Sequence, residues 1–450
     1  MERLRCAREK RPVSGRARMK SRAVRVFVLA ATALALCTSP ALAADPPDPG
    51  TTQNLVYGSG SGARPYIVYK PSTYDAKHAV PLVVLAHGCM TTAEQQMGST
   101  QFNKVAEREG FLIAYPDVDD ALTQLPQPLK NCWRFYDPGS HHRDMGDAAA
   151  LAGITREVMN DNKVDPERVY MSGMSAGGFM TSIMAAAYPD LYAAVGVMSA
   201  GAYSDFTCLG SDAASQPVEL VSQTARTEMG SRARIVPRLV IGGGGDQGIP
   251  PACADKALEQ GLRTNNLVLG GSQTGPISLE PASIREEAAE SAGGYGSTVS
   301  TYRDPNGCLI GERWTVHDMN HFWSGGSTDP KWKNWNDPKG PSGAEIAWDF
   351  FSHFKKSDTS MPCAERNPDP EPAVKPCKKR KVSFRLPPKT RSVRATVNGK
   401  RVKAKIRGKR VKVTLPATLR KRTVVIVKSR TDSGKRKKQR HVYRGCGPKR

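Results

Sequence analysis

From about residue 52 to 357, short apolar runs alternate with segments of helical period. The runs are Tyr66 to Tyr69, Pro81 to Ala86, Phe111 to Tyr115, Arg168 to Ser172, Ala193 to Ser199, Arg238 to Ile241 and Arg313 to Val316. Most are apolar throughout, as strands covered on both faces must be. Between them the period of 3.6 predicts helices over Phe102 to Glu109, Asp147 to Asn160, Phe179 to Ala187, Asp255 to Leu262 and Ala344 to Phe354. Strand alternating with helix specifies an α/β fold, a mostly parallel sheet with helices on both faces. Residues 264 to 298 are Gly/Ser-rich with little periodicity and read as a surface excursion.

After residue 377 the period changes to two. Val393, Ala395 and Val397 alternate with polar residues, Asn398-Gly399 supplies a hairpin turn, Val402, Ala404 and Ile406 alternate again, and Val411, Val413 and Leu415 follow. This is a small antiparallel β domain, sandwich-like, over 377–450. It is joined by a Pro-rich stretch over 358–376 that reads as an extended, stiff linker.

Charge separates these parts more sharply than hydropathy does. The chain of 450 residues carries +24 overall, but residues 378–450 alone hold 29 Lys and Arg against the single acid Asp432. With +8 in the first 25 residues, the main body is left near −12. The basic character therefore belongs to the C-terminal domain, whose expected partners are anionic wall polymers or acidic polysaccharide, with nucleic acid bound only non-specifically.

The N-terminus has the form of a secretory signal over 1–43. Basic residues precede the apolar run Val26 to Leu36, and Ala41-Leu42-Ala43 offers a small-residue cleavage site. That run is too short to span a bilayer, so the mature chain is expected outside the cell. Eight cysteines remain beyond the signal, an even number that reads as disulfides in an exported chain. Cys377 and Cys446 bracket the small β domain and are expected to staple it. No CxxC pair occurs, and the sequence gives no support for a metal site.

Candidate chemistry begins at Arg168 to Gly178, a strand running through Gly173-Met174-Ser175-Ala176-Gly177 into a helix. In such a turn the serine hydroxyl is lifted above the sheet edge, and the flanking glycines let strand and helix approach. Alone the motif is weak, but it has companions. Val83 to Cys89 is an apolar strand ending in His87-Gly88-Cys89, a loop placed to offer one backbone N–H to an oxyanion. The two donors would be the N–H groups of Cys89 and Ala176. Leu239 to Ile241 ends in Gly242 to Gly245 followed by Asp246, a carboxylate able to hold an imidazole tautomer. Trp314 to Gly326 contains two competing histidines, His317 and His321. Ser175, Asp246 and His321 stand in the chain order Ser, Asp, His of the hydrolase triad.

These residues carry a resemblance. His87-Gly88-Cys89, Asn131-Cys132-Trp133 with Phe135, Gly173 to Gly178, His321-Phe322-Trp323-Ser324-Gly325-Gly326 and Asp337 to Ser342 resemble the esterase family of extracellular polyhydroxybutyrate depolymerases, related to feruloyl and acetylxylan esterases. The resemblance covers about 52–357. It implies an α/β-hydrolase fold, His321 rather than His317 as base, Cys89 in the oxyanion loop and a Cys89–Cys132 disulfide. The chain departs from the family pattern at Met90, at Arg134 between the two aromatics, and at Gly242 to Gly245. The implied activity is hydrolysis of a carboxylic ester, with a polymeric substrate or a feruloyl or acetyl group on polysaccharide, and with no metal or organic cofactor. Trp133, Phe135, Phe322 and Trp323 are candidate walls for the substrate. The competing function of another class is a non-catalytic wall-binding protein on a hydrolase scaffold, against which the complete triad argues.

Overall fold

A computed structural model describes residues 48–205, 208, 216–357, 380–397, 400–415 and 423–443. The expected signal segment and linker, Asn398-Gly399 and the expected Cys377–Cys446 pair lie outside the described residues. The central element is a ten-stranded sheet. Its strands are β1 (Thr51–Tyr57), β2 (Arg64–Lys70), β3 (Val80–Ala86), β4 (Leu112–Pro116), β5 (Val164–Met174), β6 (Ala194–Met198), β7 (Arg238–Gly243), β8 (Ser283–Glu287), β9 (Ser297–Arg303) and β10 (Leu309–Val316). They lie in the order β1-β2-β4-β3-β5-β6-β7-β10-β9-β8. From β4 across to β10 neighbouring strands are parallel, while β1, β2, β8 and β9 pair antiparallel at the two edges.

The uniformly apolar central strands hide a strict alternation. Leu82, Val84 and Ala86 face one core with Val169, Met171, Val195 and Val197, whereas Val83, Leu85, Tyr170, Ala194 and Met198 face another. Helices α4 (Gly146–Asp161), α5 (Ala176–Ala187), α6 (Val218–Met229) and α7 (Pro251–Gly270) contribute to the first core. The second is closed by α1 (Ala93–Thr100), α2 (Phe102–Glu109) and α8 (Gly343–Phe351). A four-residue helix, α3 (Asp120–Thr123), and a parallel ribbon of β11 (Trp323–Ser324) with β12 (Asn336–Asp337) complete this part. Burial of one such Val, Leu or Ile is worth about 1.5–3 kcal/mol, so the two cores are the main source of its stability.

Residues 264 to 298 are an excursion only in part, over 271–282 and 288–296. Helix α7 continues to Gly270, and β8 and the start of β9 extend the sheet. The C-terminal strands form two sheets. β13 (Arg380–Arg385), β17 (Arg410–Leu415) and β16 (Ala404–Arg407) make one; β15 (Lys400–Val402), β14 (Thr390–Val397), β18 (Thr423–Thr431) and β19 (Arg436–Tyr443) make the other. Val382, Phe384, Val411 and Val413 from the first sheet bury against Ala395, Val397, Val425 and Val427 from the second. The alternating run Val402 to Ile406, expected as one strand, is divided at Lys403, because the chain there leaves one sheet for the other.

Candidate active site

The loop after β3 lies against the one after β5, and the loop after β7 packs against the one that follows β10. Strand β5 runs directly into Ser175, which adopts φ +53° and ψ −119° before α5 begins at Ala176. A positive φ at a non-glycine residue is strained by about 1–3 kcal/mol, and here two backbone bonds hold it. Ser175 N–H donates to the Met198 carbonyl at 2.9 Å, and its own carbonyl accepts from Phe179 N–H at 2.9 Å. The two glycines of the motif are there for room. A Cβ on Gly173 would stand 2.4 Å from the Gly177 carbonyl oxygen, and one on Gly177 would stand 2.3 Å from that of Ala86.

The His87-Gly88-Cys89 loop passes against the serine, since a Cβ on Gly88 would lie 3.3 Å from Ser175 Cβ. Cys89 is disulfide-bonded to Cys132, and Met90 N–H donates to the Lys130 carbonyl at 2.8 Å. Beneath the loop, the fully buried His87 has Nδ1 2.7 Å from the Gly88 carbonyl oxygen and Nε2 3.0 Å from Asp117 Oδ1. Asp117 also accepts from the N–H groups of Ala93 and Val118. Burial raises its pKa, but His87 and these donors outweigh that and hold it below the ordinary carboxylate value.

Arg134, two residues beyond the disulfide, is an anchor. Its N–H donates to Asp147 Oδ2 at 2.7 Å, Nη1 to Asp147 Oδ1 at 3.1 Å and Nη2 to Asp119 Oδ2 at 2.8 Å. Arg64 closes the group, 3.0 Å from Asp119 and 2.9 Å from Asp147. Two arginines and two buried aspartates thus fix the segment to which the His87-Gly88-Cys89 loop is covalently tied. Nothing in the sequence pointed to Asp117, Asp119 or Asp147, because isolated aspartates in turns are common.

At the far side, Asp246 is almost wholly buried. Its Oδ1 accepts from Gly248 N–H at 2.9 Å and Ile249 N–H at 2.8 Å, leaving Oδ2 facing His321 Nδ1 at 2.9 Å. The run Gly242 to Gly245 is the bed on which the histidine loop rests. Gly244 N–H donates to Val316 O, Gly245 N–H donates to Met319 O, and a Cβ on Gly243 would stand 2.0 Å from that same Met319 oxygen. Asn320 Oδ1 joins the two loops by accepting from the N–H groups of His321 and Gln247. His317 points elsewhere, its Nε2 2.9 Å from Thr298 Oγ1 and 3.6 Å from Glu286. The Asp337 to Ser342 motif supports the loop from behind, with Gly325 N–H donating to Asp337 O and Ser324 Oγ donating to Pro341 O.

The aromatic residues expected as substrate walls are mostly core. Trp133 is fully buried against His87, Phe135 stacks on Phe179 at 4.6 Å, and Trp323 is buried beside Phe102. A substrate has no surface of Trp133 or Trp323 to touch, and only Phe322 remains partly exposed. The larger aromatics next to these loops pack as rigid supports for them. A cleft of about 350 Å³ walled by Gln216, Val218, Asp255 and Lys256 contains none of the residues above. Besides Cys89–Cys132, Cys208 pairs with Cys253, and Cys308 is also disulfide-bonded. Among the described residues no helix is long and apolar enough to cross a membrane.

Comparison with known proteins gives this arrangement a family. The profile of the esterase PHB depolymerase family matches residues 64–277. Feruloyl esterase B of Neurospora crassa is 30% identical over 43% of this chain and 67% of its own. The chain belongs to the PHB depolymerase esterase family. Poly(3-hydroxyalkanoate) depolymerase C of Paucimonas lemoignei is 27% identical over 60% of this chain, and acetylxylan esterase of Coprinopsis cinerea is 34% identical over 32% of it. The matches span 61% and 36% of the lengths of these two relatives.

Proposed function

We propose that the protein is a secreted serine esterase that cleaves carboxylic esters through an acyl-enzyme. The observation that carries this reading is the 2.9 Å contact of His321 Nδ1 with the buried Asp246 carboxylate, taken together with a serine held at φ +53° at the strand-to-helix turn after β5. In the proposed cycle, Asp246 keeps the proton on His321 Nδ1 so that Nε2 is free to accept the Ser175 hydroxyl proton. Ser175 Oγ attacks the ester carbonyl, and the N–H groups of Cys89 and Ala176 hold the resulting oxyanion. Each such donor is worth about 3–4 kcal/mol in the transition state. His321 then protonates the departing alcohol, and water activated by the same imidazole releases the acid. Acyl transfer of this kind calls for no metal or organic cofactor.

The proposed substrate is a short-chain hydroxyalkanoate polyester. The similarity to a poly(3-hydroxyalkanoate) depolymerase over 60% of the chain supports it. So does the partial exposure of Ser175 and Phe322, with the His321 side chain retaining 29% exposure. A second reading, a feruloyl or acetyl ester on polysaccharide, is favoured by the higher identity to acetylxylan esterase. The signal-like N-terminus supports export, and the basic C-terminal region is read as retaining the enzyme on an anionic polymer. Hydrolysis of p-nitrophenyl butyrate, lost in Ser175→Ala, tests the activity. Product release from polyhydroxybutyrate, ethyl ferulate and acetylated xylan tests the substrate, and a preference for the latter two would replace the polyester reading.

A further inference from the structure

The strand register of the C-terminal domain sorts its cations onto definite faces. In the four-stranded sheet, Ala395, Val397, Val425 and Val427 point inward and are buried. The alternate residues point outward. On that outer face Arg394 stands opposite Lys428, and Lys428 opposite Lys438, so one rung carries three cations across three strands. In the next rung Arg430 stands opposite Arg436, beside Ser392. On the other side, Arg440 and Arg401 flank Ile426 and Thr396. All seven cations are exposed, and none makes an ion pair among the described residues. The acid of this region, Asp432, stands in the turn between β18 and β19, outside the rungs.

Like charges directly opposite one another oppose strand pairing, so this face works against the fold that carries it. Adjacent strands are about 4.8 Å apart, and residues i and i+2 about 6.7 Å. Both spacings are shorter than the screening length of about 8 Å at physiological salt, so the cations act as one field. We infer that this outer face, centred on Arg394, Lys428 and Lys438, is the docking surface for an extended anionic polysaccharide, a sugar chain with a carboxylate on each residue or every second residue. Such a chain lies flat across the rungs and neutralises several cations at once. The described side chains of the face include no aromatic residue, so the bases of a single-stranded nucleic acid would have no stacking platform. This inference rests on the reading that the basic region retains the enzyme on an anionic polymer, and adds the face and the partner.

The test uses the full-length chain and polygalacturonate at about 50 mM salt. The triple variant Arg394→Gln, Lys428→Gln, Lys438→Gln is compared with Arg385→Gln, Arg410→Gln, Lys412→Gln, which removes three exposed cations from the three-stranded sheet. The first is expected to weaken binding by at least about tenfold and to flatten its salt dependence, and the second by about twofold or less. Relief of like-charge repulsion should leave the first variant at least as heat-stable as the wild type, and polygalacturonate should raise the melting temperature of the wild type and of the second variant more than that of the first. Equal losses in the two variants would overturn the assigned face, as would tighter binding of poly(dT) than of polygalacturonate at matched charge. Absence of wild-type binding to any polyanion would instead remove the retention reading beneath it. Turnover of p-nitrophenyl butyrate should be unchanged in both variants.

Discussion

Asp246→Asn isolates the step proposed to make Ser175 a nucleophile. In the native site Oδ1 already accepts two backbone N–H groups, from Gly248 and Ile249, so only Oδ2 is free to face His321. An asparagine must keep its carbonyl oxygen on those two donors, which places its NH2 group against His321 Nδ1. Two donors cannot face each other, so the imidazole shifts its proton to Nε2 and can no longer accept one from Ser175. The equivalent tautomer error in a Ser-His-Asp enzyme costs about 10⁴ in kcat, or roughly 5.4 kcal/mol. The fold should not suffer, because the two backbone bonds to Oδ1 survive and one neutral hydrogen bond is worth only about 1 kcal/mol. Steady-state hydrolysis of p-nitrophenyl butyrate, with the melting temperature measured in parallel, checks both halves. A kcat within tenfold of the wild type in a folded variant would refute the assigned role of Asp246.

Gly243→Ala puts a Cβ where Met319 O now lies, 2.0 Å away, and should displace the His321 loop and cost about 10²-fold in kcat. Gly270→Ala, where nothing lies within 4 Å, is the control and should leave kcat unchanged. Replacing both Cys89 and Cys132 by Ala opens a loop of sequence separation 43, which by chain entropy costs about 4 kcal/mol of stability, read as a fall in the denaturant midpoint. Because the folded state depresses the Asp117 pKa, its contribution is complete above the ordinary value of about 4 and is lost as pH falls through the lower folded value. Urea midpoints measured from pH 5 to 2 should therefore fall less steeply in Asp117→Asn than in the wild type.

The central strands and the serine turn were legible in the sequence because burial on both faces leaves an uninterrupted apolar run, and close strand–helix packing leaves glycines. The edges were not. Strand β8 is exposed at every residue, so Ser283 to Glu287 shows no alternation to detect. The second half of α7 hides in the same way. Asn265 and Asn266 look like loop residues but are buried, bonded to the backbone of Val236 and of Gln273 and Ile277. Large aromatics beside catalytic motifs invited a substrate role, yet Trp133 and Trp323 pack the supports of the loops instead. Sequence order alone also could not separate His317 from His321, four residues apart; in the structure His321 contacts Asp246 and His317 contacts Thr298.

Covalent trapping tests the central claim most directly. Incubation with a fluorophosphonate should abolish turnover of p-nitrophenyl butyrate and add one phosphonyl group per chain, which peptide mass spectrometry should locate on Ser175. Full turnover after stoichiometric labelling, or an adduct on another residue with Ser175 unmodified, would contradict the assignment of Ser175 as the nucleophile.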